Sequence, residues 1–396
     1  MRTFESHPAF SAIECDRSEA LMNDRFFPAY VRTAVSAIGN DFTDNFDVRR
    51  FGPAKKASAS LLQHIKRQLS ALLSAAGFVK MRGVQNQLSA ALSFVAPHIE
   101  HFEWLYQQLA DEESRQILVL VLAYRALGHR RVKLPLNKPD YWLTLDKVEA
   151  LTKGAESIDL RFLNFIAHKM NLASLGYPIE MFNTPLGVVQ QLLLQQYRCQ
   201  AIDDIVEVTA GDTVIDAGGC YGDSALYFAH KAGAAGHVYS FEFLPENVAI
   251  FSRNMSLNKG LAERIHLIQS PLWSTSGEQL FIEGTGPGTR VSPASTNPTA
   301  KKIGTLAIDD FVRREYLSSV DFIKMDIEGA ELEALKGAEE TIRSCRPKLA
   351  ISVYHSLHDF WTIPKYIDKL GVGYRFSLRH FTIHHEETVL FAAPSS

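Results

Sequence analysis

Hydrophobic positions along the chain fall into two regimes that meet near residue 200. In the first, apolar residues recur at intervals of three and four. Leu61, Leu62, Ile65, Leu69, Leu72 and Leu73 lie on one face of a predicted helix that begins near Ala57, with Lys66 and Arg67 facing away. A second helix is predicted over 99–109. Next, Asp111-Glu112-Glu113-Ser114-Arg115 leads into the apolar run 117–124, with acids suited to a helical first turn and Gly128 as the stop. The spacing over 160–170 and 187–199 also reads as helical. Pro135 to Pro139 marks an internal boundary, and residues 1 to about 50 show no sustained period. Residues 1–199 are therefore predicted to be a mainly helical N-terminal region, acting as a cap or an oligomerisation domain. The basic helix near Ala57 suits packing against another helix or subunit better than a membrane surface, because no aromatic anchor precedes Phe78.

In the second regime, short apolar runs alternate with helical stretches. Strands are predicted at 213–217, 237–242, 265–269, 322–326, 349–354, 374–378 and 388–391, and helices at 223–231, 245–257, 331–343 and 361–369. Near-continuous apolar strands separated by helices imply a mostly parallel sheet covered on both faces. Only 379–387 joins the last two strands, which predicts an antiparallel hairpin at the sheet edge. The expected fold of residues 200–396 is α/β and Rossmann-like, with seven strands. Residues 284–304 are rich in Gly, Pro, Ser and Thr, and read as a lid or a mobile surface loop; Arg290 within it is placed to reach an anionic substrate group.

The candidate chemistry sits at strand ends, where open α/β sheets bind ligands. Val214-Ile215-Asp216-Ala217-Gly218-Gly219-Cys220-Tyr221-Gly222-Asp223 reads as a strand, a glycine turn and a helix start. The next strand ends in Glu242, an acid suited to the hydroxyls of a ribose. Together these describe an adenosine site. A dinucleotide fingerprint counted from Gly218 fails at Cys220 and Asp223, and an anionic Asp223 opposes a pyrophosphate. The sulfonium and ammonium of S-adenosylmethionine suit an acid-rimmed turn better. Asp216, Gly218, Gly219, Gly222 and Glu242 are the candidate cofactor residues.

Asp326 and Glu328 follow the fourth strand, and Tyr354-His355 follows the fifth. The two acids can orient an acceptor hydroxyl, attract a cationic cofactor or hold a divalent cation. Glu331 reads as a first-turn acid of the next helix. His355 is the favoured base and His380 the runner-up. The catalytic set is thus His355, Asp326 and Glu328, and no metal-ligand set is assigned.

Composition narrows the partners. A formal charge of −3 without aromatic-interleaved basic patches argues against a nucleic-acid partner. The four cysteines, at 15, 199, 220 and 345, form neither a metal knuckle nor a disulfide framework. His64, His98, His101 and His129 read as structural or solvent-facing. No stretch is long and apolar enough for an integral membrane segment, so a cytoplasmic location is expected.

The segments VIDAGGCYGDSALYFA, VYSFEFLPENV, TLAIDDFV, VDFIKMDIEGAELEALKGAEETI and LAISVYHS, in this order, resemble the FkbM family of S-adenosylmethionine-dependent methyltransferases. The resemblance covers about 200–393. The stretch HFEWLYQQLADEESRQILVLVLAYR is similar to the upstream region of some longer members. Cys220 departs from the broader methyltransferase pattern at its middle glycine. The resemblance implies a seven-stranded methyltransferase sheet, places Asp216, Gly218 and Gly222 in the cofactor loop, makes Glu242 the ribose acid, and puts Asp326 and Glu328 near the reaction centre. It also implies O-methyl transfer to a hydroxyl of a sugar, glycan or secondary metabolite. Transfer to nitrogen, an NAD-dependent oxidoreductase and a non-catalytic S-adenosylmethionine-binding protein remain as alternatives, and metal dependence stays open.

Overall fold

A computed structural model of the 396-residue chain describes residues 25–52, 78–162, 164–201, 205–297 and 299–395. The basic helix predicted near Ala57, with His64, and the N-terminal residues including Cys15 lie outside the described residues. The main sheet has seven strands: β1 Thr213–Ala217, β2 His237–Phe241, β3 Ile265–Ile268, β4 Phe322–Met325, β5 Lys348–Ser352, β6 Tyr374–His380 and β7 Thr388–Pro394. Their order is β6-β7-β5-β4-β1-β2-β3. β1 to β5 pair in parallel, while β7 runs antiparallel to both β5 and β6. The predicted hairpin therefore forms, with its second strand inserted inside its first.

Among the helices around this frame are α1 Phe26–Ile38, α2 Phe78–Val95, α3 Ile99–Gln108, α4 Glu112–Leu127, α5 Pro139–Glu149, α6 Asp223–Ala232, α7 Pro245–Leu257, α8 Glu331–Lys336, α9 Glu339–Cys345 and α10 Asp359–Lys369. α8 and α9 were expected as one helix. Gly337 divides them, and it packs so closely that a Cβ there would lie 2.1 Å from the Trp273 carbonyl oxygen. Two further expectations change. The described residues of 160–170 contain no helix; Ile166–Asn171 is the middle strand of a three-stranded antiparallel sheet with Ser157–Asp159 and Glu180–Asn183. Residues 187–199 form a short turn of α-helix followed by a π-helical turn, Val189–Leu193. In both places apolar residues spaced for a helix are satisfied by tertiary packing instead.

Alternation along the strands divides the interior into two cores. Ile215, Ala217, Ile323, Met325, Leu349 and Ile351 face a core shared with α1, α3 and α4. Val214, Phe322, Ala350, Val389 and Phe391 face one shared with α5 and α6. Both cores contain side chains from either side of residue 200, so the N-terminal region covers the sheet directly. His98 and His101 lie against Trp361 of α10, with ring centroids 4.8 and 5.0 Å apart, a packing role. No helix among the described residues is long and apolar enough to cross a membrane.

Asp111 fastens the N-terminal helices to the sheet edge. It caps α4 by accepting from the Ser114 backbone N–H at 2.8 Å, and it pairs with Arg379 of β6 at 3.2 Å. The Ser114 hydroxyl donates to the same carboxylate and accepts from the Leu378 N–H at 2.9 Å. Asp111→Ala should therefore lose a cap and one of the two carboxylates that Arg379 meets, the other being Glu113 at 3.2 Å, costing about 1–3 kcal/mol in urea unfolding. Asp111→Asn, which keeps the cap, should lose less, and a change within about 0.5 kcal/mol for alanine would show that the joint is not stabilising.

Candidate active site

β1 ends in a turn held from below by charge. Lys324 lies in the middle of β4, almost wholly buried. Its Nζ donates to the Ala217 and Gly218 carbonyl oxygens at 3.0 and 2.5 Å and pairs with Asp216 at 3.2 Å. Burial opposes the ammonium charge, but the Asp216 and Asp326 carboxylates outweigh it and hold Lys324 above its ordinary value. The Asp216 carboxylate also accepts from Ser224 at 2.9 Å and from Ser240 at 2.7 Å. Asp216 thus lies beneath the glycine turn with its oxygens engaged by the protein.

The glycines divide similarly. A Cβ on Gly218, whose φ is +86°, would lie 2.0 Å from the Asp326 carbonyl oxygen, so only glycine lets β1 and β4 meet there. Gly219 is pressed against Ser240, and Gly222, with φ +80°, against Phe251 and Met255 of α7. Asp223 is buried and accepts from Asn183 Nδ2 at 2.8 Å; burial raises its carboxyl above the usual range. Of the predicted cofactor residues, Gly218 and Glu242 line a cleft at the carboxyl ends of β1 and β2. Asp216, Gly219 and Gly222 support its floor.

Glu242 follows β2. Its Oε1 accepts from the Phe243 and Leu244 N–H groups at 2.6 and 2.8 Å, and its Oε2 accepts from Asn247 Nδ2 at 2.9 Å. These bonds fix the carboxylate and leave accepting capacity on Oε2. Burial nevertheless raises its pKa. Ser270, Pro271 and Leu272, after β3, continue the wall. Part of the roof comes from Gly286, Pro287, Thr289 and Val291. That segment was expected to be a lid or a mobile loop. Its flanks, Arg290–Ser292 and Lys302–Gly304, pair on either side of strand Gln279–Glu283, and Phe162 packs on Gly286 and Gly288. Arg290 pairs with Glu283 at 3.2 Å and is exposed.

Asp326 and Glu328 line the opposite wall. Asp326 Oδ1 accepts from the Tyr354 hydroxyl and Oδ2 from the Tyr197 hydroxyl, both at 3.0 Å. Glu328 adopts φ +56° and Cys220, also in the cleft, φ +43°. Left-handed backbone costs a non-glycine residue about 1–2 kcal/mol, and such strain concentrates at functional sites. Burial raises the Glu328 carboxyl to about 7, with His355 opposing the shift.

His355 sits behind this wall and does not line the cleft. Its Nδ1 is 3.1 Å from Glu331 Oε1, and its Nε2 is 3.4 Å from Asp326 Oδ1 and 3.5 Å from Glu328 Oε2. Burial disfavours its charge, but these carboxylates prevail and raise it to about 10. Its place behind the wall, and the carboxylates that favour its charged form, both count against the base role expected of it. His380, the runner-up, is buried among structural partners: Thr388 Oγ1 lies 2.9 Å from Nδ1, and the His384 carbonyl oxygen 2.7 Å from Nε2. Burial lowers its pKa to about 4.

The sequence reading overlooked Lys324, Tyr197, Tyr354 and Asn247. A lysine inside the apolar strand Phe322–Met325 was the available signal, since a buried ammonium requires partners. Tyr197 had none, because its approach to Asp326 spans 129 positions.

The chain is 28% identical over 169 residues to methyltransferase sdnD of Sordaria araneosa, a match spanning 35% of this chain and 64% of that protein, less than two thirds of the relative's length. Among solved structures, it resembles methyltransferase FkbM from Methylobacillus flagellatus at 20% identity, with a TM-score of 0.48 over 83% of this chain and 70% of that one. It also resembles Aeropyrum pernix fibrillarin in complex with natively bound S-adenosyl-L-methionine at 13% identity, with a TM-score of 0.33 over 58% of this chain and 88% of that one. A family model, the methyltransferase FkbM domain, matches residues 216–376, from the acid beneath the glycine turn into β6, and these residues form a methyltransferase FkbM domain.

Proposed function

We propose that this chain is an S-adenosylmethionine-dependent methyltransferase that methylates a hydroxyl oxygen of a sugar, glycan or secondary metabolite. The observation that carries the reading is one cleft with a fixed Glu242 at the end of β2 and an acidic wall, Asp326 and Glu328, beyond β4. The donor set suits this cofactor. Glu242 retains accepting capacity for a ribose hydroxyl, Asn247 lies beside it, and the acids favour a cationic sulfonium. A pyrophosphate is less well served, because the Cys220 side chain occupies the position where a dinucleotide loop needs a bare backbone.

Bound there, S-adenosylmethionine supplies a methyl group already activated by its sulfonium. The protein's contribution is then alignment and removal of one proton. Asp326 is held by two tyrosine hydroxyls and serves best to orient the acceptor. Glu328 lines the cleft without such donors, so it takes the hydroxyl proton as the acceptor oxygen gains the methyl group. His355, behind both acids, positions them.

Two outcomes test this reading. Glu242→Ala should weaken S-adenosylhomocysteine binding by about 10- to 100-fold in calorimetry, the value of a charge-assisted hydrogen bond; unchanged affinity would remove Glu242 from the cofactor site. With methyl-labelled cofactor and a panel of hydroxylated sugars and polyketides, label should appear on oxygen. On the acceptor so found, Glu328→Gln should lower kcat by about 10²- to 10⁴-fold while cofactor affinity stays within about threefold. Label confined to nitrogen, or full turnover in the variant, would contradict the assignment.

A further inference from the structure

The acidic wall carries more negative charge than its surroundings balance. Asp326, Glu328 and Glu331 converge on one imidazole, that of His355. The His355 side chain is 8% exposed, and its two nitrogens lie near carboxylates at angles that form no well-made hydrogen bond. A polar side chain buried this deeply is ordinarily bonded. Lys324, a buried ammonium that Asp326 also influences, is already engaged by Asp216 and two carbonyl oxygens.

Asp326, Glu331 and His355 each offer a ligand atom, and these atoms lie within 4.8 Å of one another. Bonds of about 2.0–2.2 Å to a shared ion place neighbouring ligand atoms about 3.3–3.6 Å apart in a tetrahedral set, so the carboxylates must draw in on the ion when it binds. From this juxtaposition we infer that Asp326, Glu331 and His355 form a divalent-cation site behind the acidic wall of the cleft. A mixed carboxylate and imidazole set suits Mn²⁺ or a cation of similar hardness. Tyr197 and Tyr354 orient Asp326 in the way that outer hydrogen bonds commonly orient metal ligands. Glu331 is also fixed, since its Oε1 accepts from the Ile327 N–H at 2.8 Å.

The inference rests on the methyl-transfer reading for its purpose. Of its ligands only Asp326 lines the cleft, so the ion would act from behind the acidic wall, fixing Asp326 toward the acceptor and balancing the charge beside Glu328. Ion binding itself can be measured without turnover. The full chain, stripped with chelator, is titrated with Mn²⁺ while free ion is followed by electron paramagnetic resonance. One ion per chain should bind. His355→Ala and Glu331→Gln should each weaken it by about 10-fold or more; the glutamine retains an oxygen for the Ile327 N–H, and circular dichroism verifies that both variants are folded. No uptake up to 1 mM Mn²⁺ (about the weakest range of useful protein sites), or uptake unchanged in either variant, overturns the site. Calorimetry with S-adenosylhomocysteine in chelator keeps the two readings apart. Cofactor binding without Mn²⁺ uptake removes only the cation, whereas Mn²⁺ uptake without cofactor binding removes only the methyltransferase reading.

Discussion

The ion pair between Lys324 and Asp216 is the constraint from which the cleft follows. It joins adjacent strands at their carboxyl ends and is closed to solvent on both sides. The same ammonium binds the two carbonyl groups that begin the glycine turn, while Ser224 and Ser240 attach Asp216 to α6 and β2. Removing one partner of such a buried pair typically costs about 3–5 kcal/mol, since the other is left charged and unpaired. Here the loss would also release the turn. The pair serves shape more than stability: it fixes the height at which Gly218 crosses Asp326, and so the separation of the two walls.

Charge is arranged in layers around that turn. Below it, Lys324 is balanced by Asp216. Across the cleft, carboxylates outnumber cations, and His355 stands behind them. The tyrosines that hold Asp326 come from two directions, Tyr354 after β5 and Tyr197 from outside the family-matched segment. The N-terminal region thus contributes to the site itself as well as to both cores. Phe162, packed under the glycines of the roof, extends the same dependence to the other side of the cleft.

What was legible in the sequence had a local cause. Apolar runs and helical stretches placed all seven strands, and the short 379–387 connection announced the hairpin. The acids at strand ends were identifiable because topology delivers strand ends to one edge. Which of them face the cleft was not identifiable, since that depends on side chains arriving from elsewhere: Ser240 and Lys324 turn Asp216 inward, and Glu331 draws His355 away from the cavity. The misread elements have the same origin. Residues 160–170 carry a helical spacing, yet pairing with Glu180–Asn183 makes the end of this stretch part of the strand Ile166–Asn171.

The central claim is that the cleft between Glu242 and Asp326 accepts the adenosine of S-adenosylmethionine. Calorimetric titration of the unmodified chain with S-adenosylhomocysteine, with NADH as the competing ligand, tests it most directly. The account predicts one S-adenosylhomocysteine bound per chain at micromolar affinity and no heat from NADH. Binding of NADH alone would contradict it.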